Sequence, residues 1–231
     1  MLDFLNFLRG AELDLLSITV RLLCAMICGG CIGLERERKR RPAGFRTHIL
    51  ICLGAAMTTL TSQFLVLELH LFTDMARLGA QVIAGIGFIG AGTIIITKRR
   101  QVKGLTTAAG LWAAAIVGLC CGAGFVEGAV IATCLILIAE LIFAKLEYFI
   151  VSNSRTINLY VEYSKSEQLG TIVDTIKKKG AYIVDMEITK SSDGSRNPCV
   201  IFSIHKPRKL SHQALMALVA KLDGVVSVEE L

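Results

Sequence analysis

From Met75 to Val126 the chain carries no aspartate or glutamate. A soluble segment of that length would need acidic groups on its wet face, so this stretch reads as membrane-embedded. No nucleophile–base constellation stands out anywhere, and no enzyme is expected. No acid-rich cluster marks a metal path. Mg²⁺ is held by oxygen ligands and sheds water reluctantly, so a selective pathway calls for more intramembrane acid than Glu140. Leu2 to Leu8 has no basic start and no small-residue cleavage site, so no signal peptide is expected.

What the 231 residues do contain is apolar: 53% are hydrophobic, and the mean hydropathy is +0.60. Seven of the eight cysteines lie in apolar runs and only Cys199 falls in the polar tail. Buried thiols act there as small hydrophobes, and no disulfide framework is expected. A bilayer crossing needs ~20 mostly apolar residues. Five segments meet or approach this: Leu15–Leu34, His48–Leu67, Leu78–Thr97, Leu105–Gly124 and Gly128–Ala144. Past Arg155 the composition turns polar. The division expected is a transmembrane domain over 1–150 and a cytoplasmic domain over 151–231.

The net charge of +6 does not indicate nucleic acid, because the excess sits in two short loops. ERERKRRPAGFRT has six basic residues against Glu35 and Glu37, and KRRQVK has four and no acid. Cytoplasmic loops collect Lys and Arg. Both loops fall on one side of a five-span arrangement, which puts the N-terminus outside and the tail in the cytoplasm. The tail alternates strand and helix signals in the order βαββαβ, an α+β ferredoxin-like domain. Gly180 and Gly224 stop its helices and Ser211 caps the second.

Two motifs mislead. Gly85, Gly87 and Gly90 spell the dinucleotide fingerprint G-x-G-x-x-G, which needs a preceding strand and an acid ~20 residues on. Neither is present. Helix packing is the better account, since membrane helices close on small residues. Ala80, Ala84, Gly87 and Ala91 fall within ~60° on one face, and Gly85 and Gly92 form a second stripe. This reading puts the third helix at the centre of the bundle, with Gly118, Gly122 and Gly124 packing the fourth. Cys24, Cys28 and Cys31 have an iron–sulfur spacing but lie in an apolar helix, and they read as packing residues on one face.

Arg21 sits about 10 Å inside the first helix at 1.5 Å per residue. Such a charge snorkels to the outer interface or pairs inside the bundle, and Asp14 lies one heptad away. Gln81 and Glu140 are the other intramembrane polar groups, Glu140 close enough to a helix end to reach the interface. The basic loops act as topology signals and lipid contacts, or else form a composite cytoplasmic site. Turns at Pro42, Gly44 and Gly104 would shape it.

These segments resemble the MgtC/SapB family of bacterial inner-membrane proteins. The likeness rests on GCIGLERERKRRPAGFRTHILICLGAA, QVIAGIGFIGAGTII and VKGLTTAAGLWAAAIVGLCCGAG. Matching positions are Arg21, Gly29, Gly33, Glu35, Arg36, Gly44, Phe45, Arg46 and Thr47. Gly85 through Gly92, Lys103, Gly104, Leu105, Thr107, Ala108, Ala109 and Trp112 also match, while Gln101 stands where the family often has Asn. The tail resembles an ACT-type domain. The resemblance implies a role in adaptation to low Mg²⁺ and survival inside host cells, through other membrane proteins such as the F-type ATP synthase or Mg²⁺ transporters. A Mg²⁺ transporter or channel is the alternative. Candidate functional residues are Arg21, Glu35, Arg36, Arg46, Thr47, Gln81, Lys103, Gly104, Thr107 and Trp112. No cofactor, metal or nucleic-acid partner is assigned, and the tail offers a homodimer edge.

A reporter active only in the periplasm, fused after Ser154, is expected to give no signal. A strong signal would overturn the orientation.

Overall fold

The computed structural model describes residues 13–97, 101–165, 167–190 and 197–231. The expected loop KRRQVK and turn SSDGSRNP fall partly outside these residues, and Leu2–Leu8 wholly outside. The described residues divide into a helical unit, up to Ile95 and from Val102 to Ala144, and a second unit that holds Ile96, Thr97 and Gln101 and runs from Lys145 to Leu231.

The helical unit begins with α1 (Leu15–Arg38), α2 (Phe45–Leu67) and α3 (Ala76–Thr93). A two-stranded ribbon of β1 (Ile95–Ile96) and β2 (Val102–Lys103) leads into α4 (Leu105–Gly122). Then α5 (Val126–Ile138) passes through a π-turn at Ala139–Phe143 into α6 (Ala144–Ser152). Among the described residues, four helices are long and apolar enough to cross a membrane: Leu15–Arg38, Phe45–Leu67, Leu105–Gly122 and Val126–Val151. The 18-residue α3 is not one of them. Arg77, Gln81 and its glycines dilute its hydropathy. It stops at Thr93, short of the expected Thr97, because the β-branched run Ile94–Ile96 turns extended into the ribbon.

The packing corrects the expectation for α3. The centre of the bundle is α4, which contacts α1, α2, α3 and α5, whereas α3 packs chiefly on α2 and α4. Ala80, Ala84, Gly87 and Ala91, the stripe expected to pack, are exposed. A Cβ added at Gly85, Gly87 or Gly92 would meet nothing within 4 Å. Of the small residues singled out on this helix, Gly90 alone is at a contact, its added Cβ falling 3.4 Å from Ala108 Cβ. The inward line is Gly79, Val82, Ile86 and Gly90. Val82 and Ile86 carry the volume that fills the groove between α2 and α4, and alanines and glycines could not.

Close backbone approach occurs elsewhere. An added Cβ at Gly118 would lie 2.8 Å from Cys52 Cα, and at Gly122 2.9 Å from Ala56 Cα, so α4 packs closely as expected and the neighbour is α2. Gly124 lies beyond the end of α4 with φ of +80°. At Gly29 it would lie 2.7 Å from the His48 carbonyl, and at Gly33 2.8 Å from Phe45 Cα, which joins α1 to α2. All eight cysteines are free thiols; Cys28 is buried but Cys31 is exposed, so the C-x₃-C-x₂-C residues do not share one buried face.

In the second unit, β3 (Thr156–Tyr163), α7 (Gln168–Lys178), β4 (Tyr182–Lys190), β5 (Pro198–His205), α8 (His212–Ala220) and β6 (Val225–Glu230) follow the expected order. The sheet runs β4-β5-β3-β6, all neighbours antiparallel. That is the split-βαβ arrangement. Alternate residues Ile157, Leu159, Val161 and Tyr163 meet Ile172 and Ile176 of α7 and Leu215 and Val219 of α8 in one core. Gly180 and Gly224 take φ of +75° and +82° where the helices stop, and Ser211 Oγ accepts the Ala214 N–H at 3.1 Å.

Gly118→Leu, which must push apart two helix backbones, is expected to cost at least 1–3 kcal/mol and to lower the protein's level in membranes. Gly87→Leu is expected to accumulate normally. Equal loss for both, measured by membrane immunoblot, would show that the outer face of α3 is packed.

Candidate functional site

The geometry begins at the turn between α1 and α2. Backbone N–H groups of Lys39, Arg40 and Arg41 close the end of α1 on Glu35 O, Glu37 O and Arg36 O at 3.2, 2.9 and 3.0 Å. Pro42 and Gly44 then reverse the chain. Gly44 occupies the N-cap of α2 and has no side chain to offer. Glu37 supplies the cap instead, its Oε2 accepting the Phe45 N–H at 3.2 Å. A Cβ at Gly44 would meet that carboxylate, so a side chain here would displace Glu37 from the cap.

This turn aims the last residues of α1 inward. Arg36 and Glu35 are only 2% and 6% exposed as side chains, and Glu140, in the π-turn, is 15% exposed. Arg36 Nη1 pairs with Glu140 Oε2, and Arg36 Nε lies 3.9 Å from Glu35 Oε2. Lys39 Nζ pairs with Glu35 Oε1 at 2.6 Å and donates to the Glu140 backbone carbonyl at 2.5 Å. Two cations and two carboxylates thus balance in one cluster, with Arg36 and Glu35 buried and Lys39 at its exposed edge. Glu140 is therefore tied to the last turn of α1. π-turns occur frequently at functional sites, and this one carries the acid that joins α5 to α1.

His48 lies beside the cluster, 1% exposed. Its Nδ1 is 2.9 Å from the Gly44 carbonyl, which can only accept, so we assign the proton to Nδ1. Nε2 is then a bare acceptor, buried without a hydrogen-bond partner, and it faces the position where Gly110 has no side chain.

Arg21 occupies the other end of α1, fourteen residues before Glu35 and so about 21 Å away along the helix. It is 2% exposed. Its Nη1 donates to Gln63 Oε1 at 2.8 Å and to the Gly122 carbonyl at 3.2 Å. Of the two alternatives for this residue, pairing inside the bundle is the observed one. A cation at the last carbonyls of α4 also meets the negative end of that helix dipole. Asp14 is not its counter-charge in these contacts; Asp14 Oδ1 accepts the Leu16 N–H at 2.5 Å and caps α1.

The remaining candidates are dispersed. Arg46 is exposed and Thr47 half-buried, on a groove of about 530 Å³ with Leu34, Glu37, Pro42, Gly44 and Phe45. Lys103 and Gln81 are exposed. Gly104 takes φ +98°, where a side chain would strike the Thr93 carbonyl. Thr107 is buried, and Trp112 is 46% exposed. Among the described residues, no hydrogen bond or ion pair joins Arg46 or Lys103 to the Glu35–Arg36 cluster. Sequence reasoning missed Lys39, His48 and Gln63. The i,i+4 spacing of Glu35 and Lys39 was a legible signal; nothing local marked Gln63.

Comparison with known proteins places this geometry. The MgtC family matches over residues 22–149. An uncharacterized protein of Haemophilus influenzae is 35% identical over 224 residues, 94% of this chain and 93% of its own length. The protein of Escherichia coli K12 named putative magnesium transporter YhiD is 36% identical over 213 residues, covering 90% of this chain and 96% of its own. Protein MgtC of Salmonella typhimurium LT2 is 41% identical over 123 residues, covering 53% of this chain and 51% of its own. No solved structure matches the chain.

Removing one partner of a buried pair strands the other charge, at roughly 3–5 kcal/mol. Arg36→Gln and Glu140→Gln are each expected to lower the unfolding temperature of the detergent-solubilised protein strongly. The double variant is expected to recover much of the loss. Additive losses would show that the two residues do not act as a pair.

Proposed function

The chain belongs to the MgtC family, and from that premise we propose that it is a membrane-embedded regulator of other membrane proteins, without enzymatic activity. The observation that carries this reading is the use of the buried charges. Arg36 is paired with Glu140, Lys39 with Glu35, and Arg21 is bonded to Gln63 and Gly122. The Arg36–Glu140 pair and the Arg21 bonds join one helix to another, and Lys39 braces Glu35 at the end of α1, which suits a rigid scaffold better than a conduit whose charges must exchange partners with a passing ion. The exposed cations Arg46 and Lys103 then remain for a partner's acidic surface or for lipid head groups.

In this reading α3 is the fifth span. The protein lies in the bacterial inner membrane with its N-terminus outside, and the tail is a cytoplasmic ACT-type domain, with a possible homodimer edge, that tunes activity. The partner is another membrane protein, the F-type ATP synthase or a Mg²⁺ transporter. The outcome is adaptation to low Mg²⁺ and survival inside host cells.

A competing reading, transport of Mg²⁺ itself, is favoured by the name of the Escherichia coli relative. The two separate in one pair of measurements. For a regulator, Arg46→Gln or Lys103→Gln abolishes growth support at low Mg²⁺ while the protein stays inserted, and purified protein moves no Mg²⁺ into liposomes. Mg²⁺ uptake that Glu140→Gln or Arg21→Ala stops would establish transport and defeat the regulator.

A further inference from the structure

The topology of the second unit gathers one kind of charge at one end of its sheet. β3 starts at that end, α7 and β5 finish there, and β4 and α8 begin there. The register shows it directly: Thr156, the first residue of β3, pairs with His205, which pairs with Tyr182. Lys177, Lys178 and Lys179 close α7 beside this row, and Arg208 and Lys209 follow β5. Gly180, next to the lysines, approaches Pro207 to 4.0 Å at its would-be Cβ, so the two basic turns are neighbours. With Arg155 they make six exposed cations, and none is in an ion pair among the described residues. Tyr182 is 58% exposed and stacks on His205, ring centroids 4.9 Å apart. The carboxylates at this end are Glu229 and Glu230 on β6, and Glu230 Oε1 is held by His212 Nδ1 at 2.6 Å. Asp174 lies a turn back on α7, and Asp185 further along β4.

The same end receives the chain from the last candidate span. That span ends at Val151, and the five steps from there to Thr156 reach at most about 17 Å at ~3.5 Å per residue. The link is pinned. The Lys206 N–H donates to Arg155 O at 2.8 Å, and His212 Nε2 lies 2.9 Å from Ser154 O. The basic end is thus tied to a segment that emerges from the bilayer.

We propose that this end of the tail domain, Arg155, Lys177–Lys179, Arg208 and Lys209 around the Tyr182–His205 stack, docks on the anionic lipid head groups of the membrane. Lys and Arg near a membrane surface are drawn to anionic lipid, over a range set by the Debye length. A half-exposed tyrosine ring suits the head-group level, where such amphipathic rings collect. Lipid charge thereby sets how firmly the tail is held. The inference rests on the membrane location and not on the regulator reading, so either can fail without the other.

The test uses the full-length protein in lipid nanodiscs. Trp112 is the one native tryptophan, so a Trp112→Phe background with Tyr182→Trp reports from the patch. Quenching by lipids brominated on their acyl chains is expected to rise roughly twofold or more when about 30% phosphatidylglycerol replaces phosphatidylcholine. The rise should vanish near 1 M salt, where the Debye length is about 3 Å. It should also vanish in the variant Lys177→Gln, Lys178→Gln, Lys179→Gln, Arg208→Gln, Lys209→Gln, but persist with Lys165→Gln and Lys221→Gln elsewhere on the domain. An unchanged emission in phosphatidylcholine discs checks that the variants are folded. Equal quenching in both lipids overturns the proposal. So does an emission shift caused by inorganic tripolyphosphate with no dependence on lipid charge, which would mark the patch as a site for soluble polyanions.

Discussion

A guanidinium held at 2% exposure in an apolar bundle must find acceptors, and Arg36 finds the Glu140 carboxylate. That requirement organises the helical unit. Glu140 arrives from the far end of the sequence, so α5 must lie against α1 with its π-turn level with the last turn of α1. Lys39 then takes both the remaining carboxylate, Glu35, and the Glu140 backbone carbonyl. Desolvating Arg36 and Glu35 costs more than a hydrophobic contact would, and the Coulombic return depends on Glu140 and Lys39 being in place beside them. The cluster thus specifies which helices meet and at what height, more than it adds to stability.

Glycine makes the approach possible. Gly29 and Gly33 let α2 close on α1, and Gly118 and Gly122 let α4 close on α2, each at a distance a Cβ would forbid. Gly44 leaves the space in which Glu37 caps α2. The polar ends of α1 are therefore fixed by backbone contact along its length. The Arg21 end meets Gln63 and the last carbonyl of α4, and the Glu35 end meets α2 and α5. By contrast α3 attaches through Val82, Ile86 and Gly90 and leaves its small-residue face outward.

The tail solves a different problem. Its split-βαβ order brings the end of α7 and the start of α8 to the end of the sheet where the chain entered, so turns far apart in sequence share a surface. Lys177–Lys179 and Arg208–Lys209 become one patch for that reason, beside a linker held by Lys206 and His212.

Periodicity, loop charge and turn residues decided by themselves that this chain has an apolar helical part and a βαββαβ tail. Those signals are local: runs of apolar residues, Gly180 and Gly224 after helix faces, Ser211 before one. They also marked Arg21, Glu35 and Arg36 through the resemblance of their surrounding motifs. What they left undecided was direction. The small residues of α3 gave no sign of which way they faced, and the fit of Val82 and Ile86 between α2 and α4 turned Ala84 and Gly87 outward. Glu140 and Arg36 are more than a hundred positions apart, as are Arg21 and Gly122, and no periodicity links such residues. Their pairing follows from helix packing, which depends on the joint fit of several backbones, and so belongs to the tertiary structure alone.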